Sequence, residues 1–183
     1  EMGYAACEKA LAGGNPSSGS VGAGTGATVG KICGMERAMK SGLGMYAVQL
    51  GELRMAAVVA VNALGDIFDS STGRKIAGLR TEDGTAFSDS CEELWKMGQR
   101  ENLFTGNTTI GAVITNGKFN KAQMNKIASM TRNAYARCIN PVGTMADGDS
   151  IYAASAGEVE ADLNVAGTLA AYVMERAIVA AIR

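Results

Sequence analysis

The chain has 183 residues, 47% of them hydrophobic, which suits one domain with a substantial core. Its 17 basic and 18 acidic residues leave a net charge of −1, no basic block stands out, and only 5% of residues are aromatic. Clustered cations and stacking rings are the footprint of nucleic-acid and membrane-surface binding, so neither kind of partner is expected.

Taken in chain order, residues 2–12 place Tyr4, Ala5, Cys7, Glu8 and Leu11 at roughly helical spacing and stop at Gly13-Gly14, a helix C-terminal signal. Asn15 to Gly19 reads as a loop. Extended runs over about 43–50 and 54–62, split by Gly51-Glu52, predict a tight hairpin. Ile67-Phe68-Asp69 and Lys75-Ile76-Ala77 flank Ser70-Ser71-Thr72-Gly73 and predict a second hairpin. Polar residues 80–90 read as a surface loop. A short helix is expected from Ser90 to Gly98 with Cys91, Leu94 and Trp95 on one face. Residues 99–107 are polar and then turn-like, hence accessible. Thr108 to Thr115 reads as a central strand, apolar on both faces.

Asn120 can cap a helix over 121–138 whose inner face carries Ile127, Ala128, Thr131, Ala134, Tyr135 and Cys138. Ile151 to Ala154 predicts a short strand. A last helix over roughly 163–182 sets Ala166, Leu169, Ala170, Val173, Met174, Ala177, Ile178 and Ala181 at 3–4 spacing, a core-packing stripe. Strands in hairpins followed by late helices give an α+β class with antiparallel sheet.

Histidine is absent, which removes Ser-His and Cys-His hydrolase mechanisms and any His-containing zinc site. A hydroxyl nucleophile then needs another base. Cutting the backbone just before a Thr supplies one, because the freed α-amine titrates near about 7.7–8.0. Asn107-Thr108, set before the apolar β-branched run, is the place for such a cut. The four cysteines, Cys7, Cys33, Cys91 and Cys138, lie far apart without a CxxC pair. They read as small buried residues in a reducing compartment, not as a disulfide or metal frame. No signal peptide opens the chain, and no apolar run reaches about 18 residues, the C-terminal one being broken by Glu175-Arg176. The expected location is the cytoplasm. Glu1-Met2-Gly3 starts directly in a helical pattern, the look of a fragment or of one product of a larger precursor.

Several motifs invite sharper readings. The run Val21 to Lys31 is glycine-rich, but Thr25 and Ile32 break the Walker pattern. Gly22-x-Gly24-x-x-Ala27 fits a loose dinucleotide pattern, yet no strand precedes it and no helix with a suitably placed acid follows, so a close backbone crossing is the preferred reading. Asp147-Gly148-Asp149 lacks the further ligands of a calcium loop and reads as a turn, although both carboxylates, placed just before a strand, can point back at a neighbouring strand's start. Asn62 is by itself a strand-terminal turn residue, and Lys31 by itself a surface lysine.

Four segments taken together resemble the self-processing amidohydrolases that include the aminopeptidase DmpA, the β-aminopeptidases and the nylon-oligomer hydrolase NylC. They are Gly22 to Ala27 with Gly30-Lys31, then Ala57 to Asn62, then Gly106-Asn107-Thr108-Thr109-Ile110, then Asp147-Gly148-Asp149-Ser150 with Ile151. The resemblance implies an αββα sandwich and autocatalytic cleavage of Asn107-Thr108 within a single domain, 1–183, into segments 1–107 and 108–183. It implies Thr108 as N-terminal nucleophile, Asn62 in the oxyanion hole, Lys31 supporting the nucleophile, and Asp147 and Asp149 holding its network. It further implies a peptide or small-amide substrate, no metal or organic cofactor, and a homo-oligomer. The family carries roughly a hundred or more additional residues, with strands and a substrate-site Tyr, before the point matching Glu1, so a separate N-terminal segment is an expected partner. Two other readings are an acyltransferase resembling ornithine acetyltransferase and a non-catalytic assembly or binding protein.

Overall fold

The computed structural model describes residues 1–13, 17–98 and 106–182. The expected turn at Asn15-Pro16 and most of the polar stretch 99–107 lie outside the described residues. Four helices are present among them: α1 (Met2–Leu11), α2 (Ser90–Met97), α3 (Lys121–Cys138) and α4 (Leu163–Ala180). Helix α3 opens with a capping box in which Asn120 and Gln123 satisfy each other's backbone N–H. At the start of α4, Asp162 accepts from the N–H groups of Asn164 and Val165.

The main sheet joins β3 (Leu43–Leu50), β4 (Leu53–Ala60), β7 (Ile110–Gly117) and β9 (Ser150–Val159), in that spatial order. The hairpin of β3 and β4 turns through Gly51-Glu52 as the sequence indicates, with Leu50 opposite Leu53. A three-stranded sheet sets β5 (Asp66–Asp69) between β6 (Arg74–Ala77) and β8 (Ile139–Asn140), and β1 (Thr28–Val29) pairs with β2 (Met39–Lys40). The antiparallel pairing expected from the sequence joins β3, β4 and β7, and one parallel pair, β7 and β9, is added to it. They are joined by a connection that contains the 18-residue helix α3, and a crossover of that length returns the chain in the same direction.

Helices α3 and α4 pack on one face of the main sheet. Met55, Ala57, Val59 and Val113 meet Tyr135, Ala170, Val173, Met174, Ala177 and Ile178 in a continuous core, all of them buried. Helix α4 is long and apolar enough to cross a membrane by length and composition alone, but it forms the centre of this core. Its Glu175 is tied to Arg137 at 2.6 Å and accepts from Ser70 Oγ at 2.7 Å.

The described residues leave the opposite face of the main sheet uncovered. Ile110 and Ile114 on β7 are 50% and 46% exposed, and Tyr152 on β9 is 65% exposed. Strand β7 is therefore interior to the sheet, as expected, but it is buried here on one face rather than two. Strand β9 runs ten residues where only four were legible, since its second half, Ser155-Ala156-Gly157-Glu158, has little strand propensity. Trp95 was expected to share one face of α2 with Cys91 and Leu94; those two are half-buried, whereas Trp95 is 75% exposed. Leu94 and Met97 pack against Ile32, Leu64 and Leu79, and Ser90 at the start of the helix is buried. Of the cysteines, Cys138 is buried, Cys33 and Cys91 are half-buried and Cys7 is exposed, so burial does not describe all four; each is a free thiol.

Asp66 organises the smaller sheet. Its buried carboxylate accepts from Lys75 Nζ at 2.6 Å, Leu79 N–H at 2.7 Å, Ser90 N–H at 3.0 Å and Ser90 Oγ at 2.7 Å. Removing it would strip the part-buried Lys75 ammonium of its counter-charge, leaving it only the Ser88 carbonyl at 2.6 Å, and would leave the Leu79 and Ser90 N–H groups without this acceptor, so Asp66→Ala is expected to cost about 3–5 kcal/mol. Chemical denaturation of the two proteins would measure this, and a loss below about 1 kcal/mol would mean that water replaces the carboxylate.

Candidate active site

The site forms where β4 ends and β7 begins, at neighbouring positions in the main sheet. Gly30 bends the chain at φ 68°, and a Cβ there would lie 2.0 Å from the Leu79 nitrogen, so only glycine fits. This confirms a close crossing at the end of the glycine-rich run. The crossing is pinned by Gly30 N–H to Gly65 O at 3.0 Å and Lys31 N–H to Leu64 O at 2.9 Å. It drives the Lys31 side chain inward, where the residue is 1% exposed.

The Lys31 ammonium donates to Asn62 Oδ1 at 2.8 Å, to Asn62 O at 3.1 Å and to Gly106 O at 3.5 Å. Asn62 Oδ1 also accepts from Thr28 N–H at 3.2 Å. With its oxygen claimed by two donors, the Asn62 amide can present only its nitrogen the other way, and Nδ2 donates to Gly106 O at 2.9 Å. Burial lowers the Lys31 amine from 10.5 to about 8, the charge of Asp147 pulling the other way.

Thr108 follows directly. Its N–H donates to Asn62 O at 3.0 Å, and its hydroxyl donates to Asn107 O, the carbonyl of the peptide bond before it, at 2.6 Å. That same carbonyl accepts the Gly148 N–H at 3.0 Å, part of a parallel bridge between Asn107 and Asp147 that extends the β7–β9 pairing upstream. Asp149 Oδ1 accepts the Thr109 N–H at 2.8 Å, so this carboxylate does point back at the start of the neighbouring strand. Burial raises the Asp149 carboxyl above the ordinary range; the Thr109 N–H lowers it, Asp147 raises it further and Arg132 opposes. Asp147 itself accepts from Thr144 N–H at 2.9 Å and Thr144 Oγ1 at 2.8 Å, which shapes its own loop.

Lys31, Asn62, Asn107 and Thr108 thus form one connected cluster, with Asp149 one residue along and Asp147 acting on Lys31 through its charge. Sequence reading passed over Gly148 and Tyr135. The buried Tyr135 hydroxyl lies 3.4 Å from both Thr109 O and Ser150 O, sharing its one proton between them. A cleft of about 520 Å³ opens over Thr108 and Asn62, lined by uncharged residues that include Ala23, Gly26, Ala60 and Tyr152. Chemically, the cluster offers a hydroxyl touching an amide carbonyl, an oriented amide donor and a buried cation. Among the described residues no group of three or more acidic, Cys or His side chains could hold a metal ion.

The sequence of peptidase family S58 matches residues 1–183. The chain belongs to that family. A relative named as an uncharacterized aminopeptidase of Mycobacterium leprae is 32% identical over 169 residues, covering 88% of this chain and 45% of its own. The 6-aminohexanoate-oligomer endohydrolase of a Kocuria species is 31% identical over 166 residues, covering 87% and 45%. Two solved structures share the fold. The L-aminopeptidase D-Ala-esterase/amidase of Ochrobactrum anthropi, described as a variant of the Ntn hydrolase fold, aligns with TM-score 0.60 at 19% identity over 95% of this chain and 47% of its own. A β-aminopeptidase from a Burkholderia species aligns with TM-score 0.57 at 18% identity over 95% and 49%. This S58 chain spans about half the length of the curated relatives it matches.

The position of Lys31 has a thermodynamic signature. Between about 8 and 10.5 the unfolded chain holds the lysine proton and the folded one does not, so unfolding takes up a proton and stability rises with pH. Below about 8 both states are protonated and this dependence vanishes. The melting midpoint of the wild type, followed from about pH 7.5 to 10, is expected to rise relative to that of Lys31→Met. Parallel curves would put the Lys31 amine at its ordinary value.

Proposed function

We propose that this chain carries the nucleophile of an N-terminal-threonine amide hydrolase that first cuts itself between Asn107 and Thr108. The observation that carries the reading is the contact of the Thr108 hydroxyl with the Asn107 carbonyl at 2.6 Å, in a chain without histidine. Attack of Oγ1 on that carbonyl carbon and expulsion of the Thr108 nitrogen convert the amide to an ester, which water hydrolyses. The cut leaves segment 1–107 and a segment beginning with a free Thr108 amine.

In the mature enzyme that amine, directly or through water, takes the Oγ1 proton as the hydroxyl attacks a substrate amide. Asn62 Nδ2, oriented by Lys31, donates to the developing oxyanion; one such donor is worth about 2.7–4 kcal/mol of transition-state stabilisation. Lys31 offsets negative charge beside the nucleophile, and Asp149 holds the strand that carries it. Asp147 lowers the electrostatic cost of the buried cation. The acyl-enzyme is released by water.

The substrate is a peptide or peptide-like amide, in keeping with relatives named as an aminopeptidase and an oligoamide endohydrolase. A further segment of polypeptide completes the sandwich on the uncovered sheet face, supported by the exposed Ile110, Ile114 and Tyr152 and by relatives of twice the length. The assembled enzyme is a cytoplasmic homo-oligomer, a location supported by the free thiols.

Denaturing mass analysis of fresh protein tests the reading. The 18.8 kDa wild type is expected to give species of about 11 and about 8 kDa, the smaller one starting at Thr108, while Thr108→Ala stays at full mass and has no amidase activity. An uncut wild type, or a cut Thr108→Ala, rejects it.

A further inference from the structure

We infer that Gly148 is a catalytic residue of the self-cleavage step, serving through its backbone N–H and through its missing side chain. The inference rests on the reading of Asn107-Thr108 as the bond that is cut, and it assigns that step an oxyanion donor different from the one used on substrates.

Two observations carry it. The first is the hydrogen bond from Gly148 N–H to Asn107 O at 3.0 Å, which places a fixed donor on the oxygen that becomes negative when Thr108 attacks. The donor is held by the bridge between Asn107 and Asp147 and by the next ladder bond, Ser150 N–H to Thr109 O at 3.1 Å. It therefore needs no reorganisation as charge develops, which is the condition for strong oxyanion stabilisation. Asn62 is directed elsewhere at this stage, its Nδ2 donating to Gly106 O at 2.9 Å, one carbonyl upstream of the bond to be cut. Once segment 1–107 has been severed, that carbonyl can leave and the Asn62 amide becomes available to a substrate.

The second observation is steric. A Cβ on Gly148 would stand 2.7 Å from Thr108 Oγ1, with Thr108 Cβ and Cγ2 at an ordinary 3.7 Å. The clash is thus confined to the nucleophile's oxygen, at the end of a side chain that rotates about one bond. Rotation would relieve the contact at little cost to folding, yet it would carry Oγ1 away from the Asn107 carbonyl. Gly148 does not lie in the left-handed region, so its backbone conformation is open to any residue. Space for the hydroxyl is what requires glycine.

The step balances as follows. The Oγ1–C bond forms at Asn107 while the Oγ1 proton passes to a water molecule, and the carbonyl electron pair moves onto Asn107 O, where Gly148 N–H receives it. The pair then returns, the C–N bond breaks, and Thr108 N takes back a proton from water. Amide has become ester with no net change in protons.

Two forms of the full chain separate the two contributions. Cell-free translation with glycolic acid at position 148 replaces the N–H by an ester oxygen and leaves the side chain absent. Self-cleavage followed by intact mass is expected to slow by about 10²–10³-fold, the usual effect of losing one oxyanion donor. Gly148→Ala keeps the N–H but displaces the hydroxyl; cleavage is expected to slow by at least about tenfold, with a melting midpoint close to that of wild type. If the ester chain cleaves within threefold of wild type, or if it does not fold and Gly148→Ala cleaves within threefold, the inference is overturned. In either case a wild type that still cuts itself leaves the reading of Thr108 intact, whereas an uncut wild type removes that reading first.

Discussion

Everything at the site hangs on a cation held away from water. The Lys31 side chain is almost wholly inaccessible, yet its ammonium reaches the oxygen acceptors Asn62 O, Asn62 Oδ1 and Gly106 O. Taking such a charge out of water is expensive, and burial accordingly lowers its pKa to about 8 against the opposing charge of Asp147. What the arrangement secures is orientation. An asparagine side chain can flip with little change of shape, but here one end faces an ammonium and a backbone N–H, so the other end must face the cleft. Lysine, a compact point charge with three donors, can satisfy acceptors on both the backbone and the side chain of one residue, where a planar guanidinium fits poorly.

The second constraint is the parallel pairing of β7 with β9. It lays residues 107–109 alongside 147–150, so that the backbone of one segment satisfies the other: Gly148 on Asn107, Ser150 on Thr109, and the Asp149 carboxylate on the Thr109 N–H. A peptide bond clamped on both its carbonyl and its N–H side, the latter by Asn62 O, is held in one geometry relative to its own hydroxyl. Orientation of this kind lets an otherwise sluggish intramolecular attack proceed.

Much of this architecture can be read from the chain itself, because the strongest signals are periodic. Helices α3 and α4 follow from apolar spacing, with Asn120 as the cap of the first, and the first hairpin from two extended runs around Gly51-Glu52. What escaped reading depends on neighbours distant in sequence. The second half of β9 is a strand only because β7 pairs with it, and the outward Trp95 reflects a packing face defined by Leu64 and Leu79. Asp66 gives no local sign that four donors from three segments converge on it. Asn107-Thr108 was legible from the lack of histidine and the β-branched run that follows, whereas Lys31 and Asn62 joined it only through a pattern of four motifs in order. Gly148 stood inside one of those motifs, and the reason for it, an oxygen 2.7 Å from where its Cβ would be, exists only in three dimensions.

The carbonyl of Asn62 receives both the Lys31 ammonium and the Thr108 N–H. In the uncut chain the second of these is an amide and carries no charge. The cleavage proposed above would make it a terminal amine sharing one oxygen with a neighbour of the same kind, and two positive nitrogens on a single acceptor repel each other. One of the two would then give up its proton more readily than it would alone. On that proposal a single oxygen ties maturation to the readiness of the base that it creates.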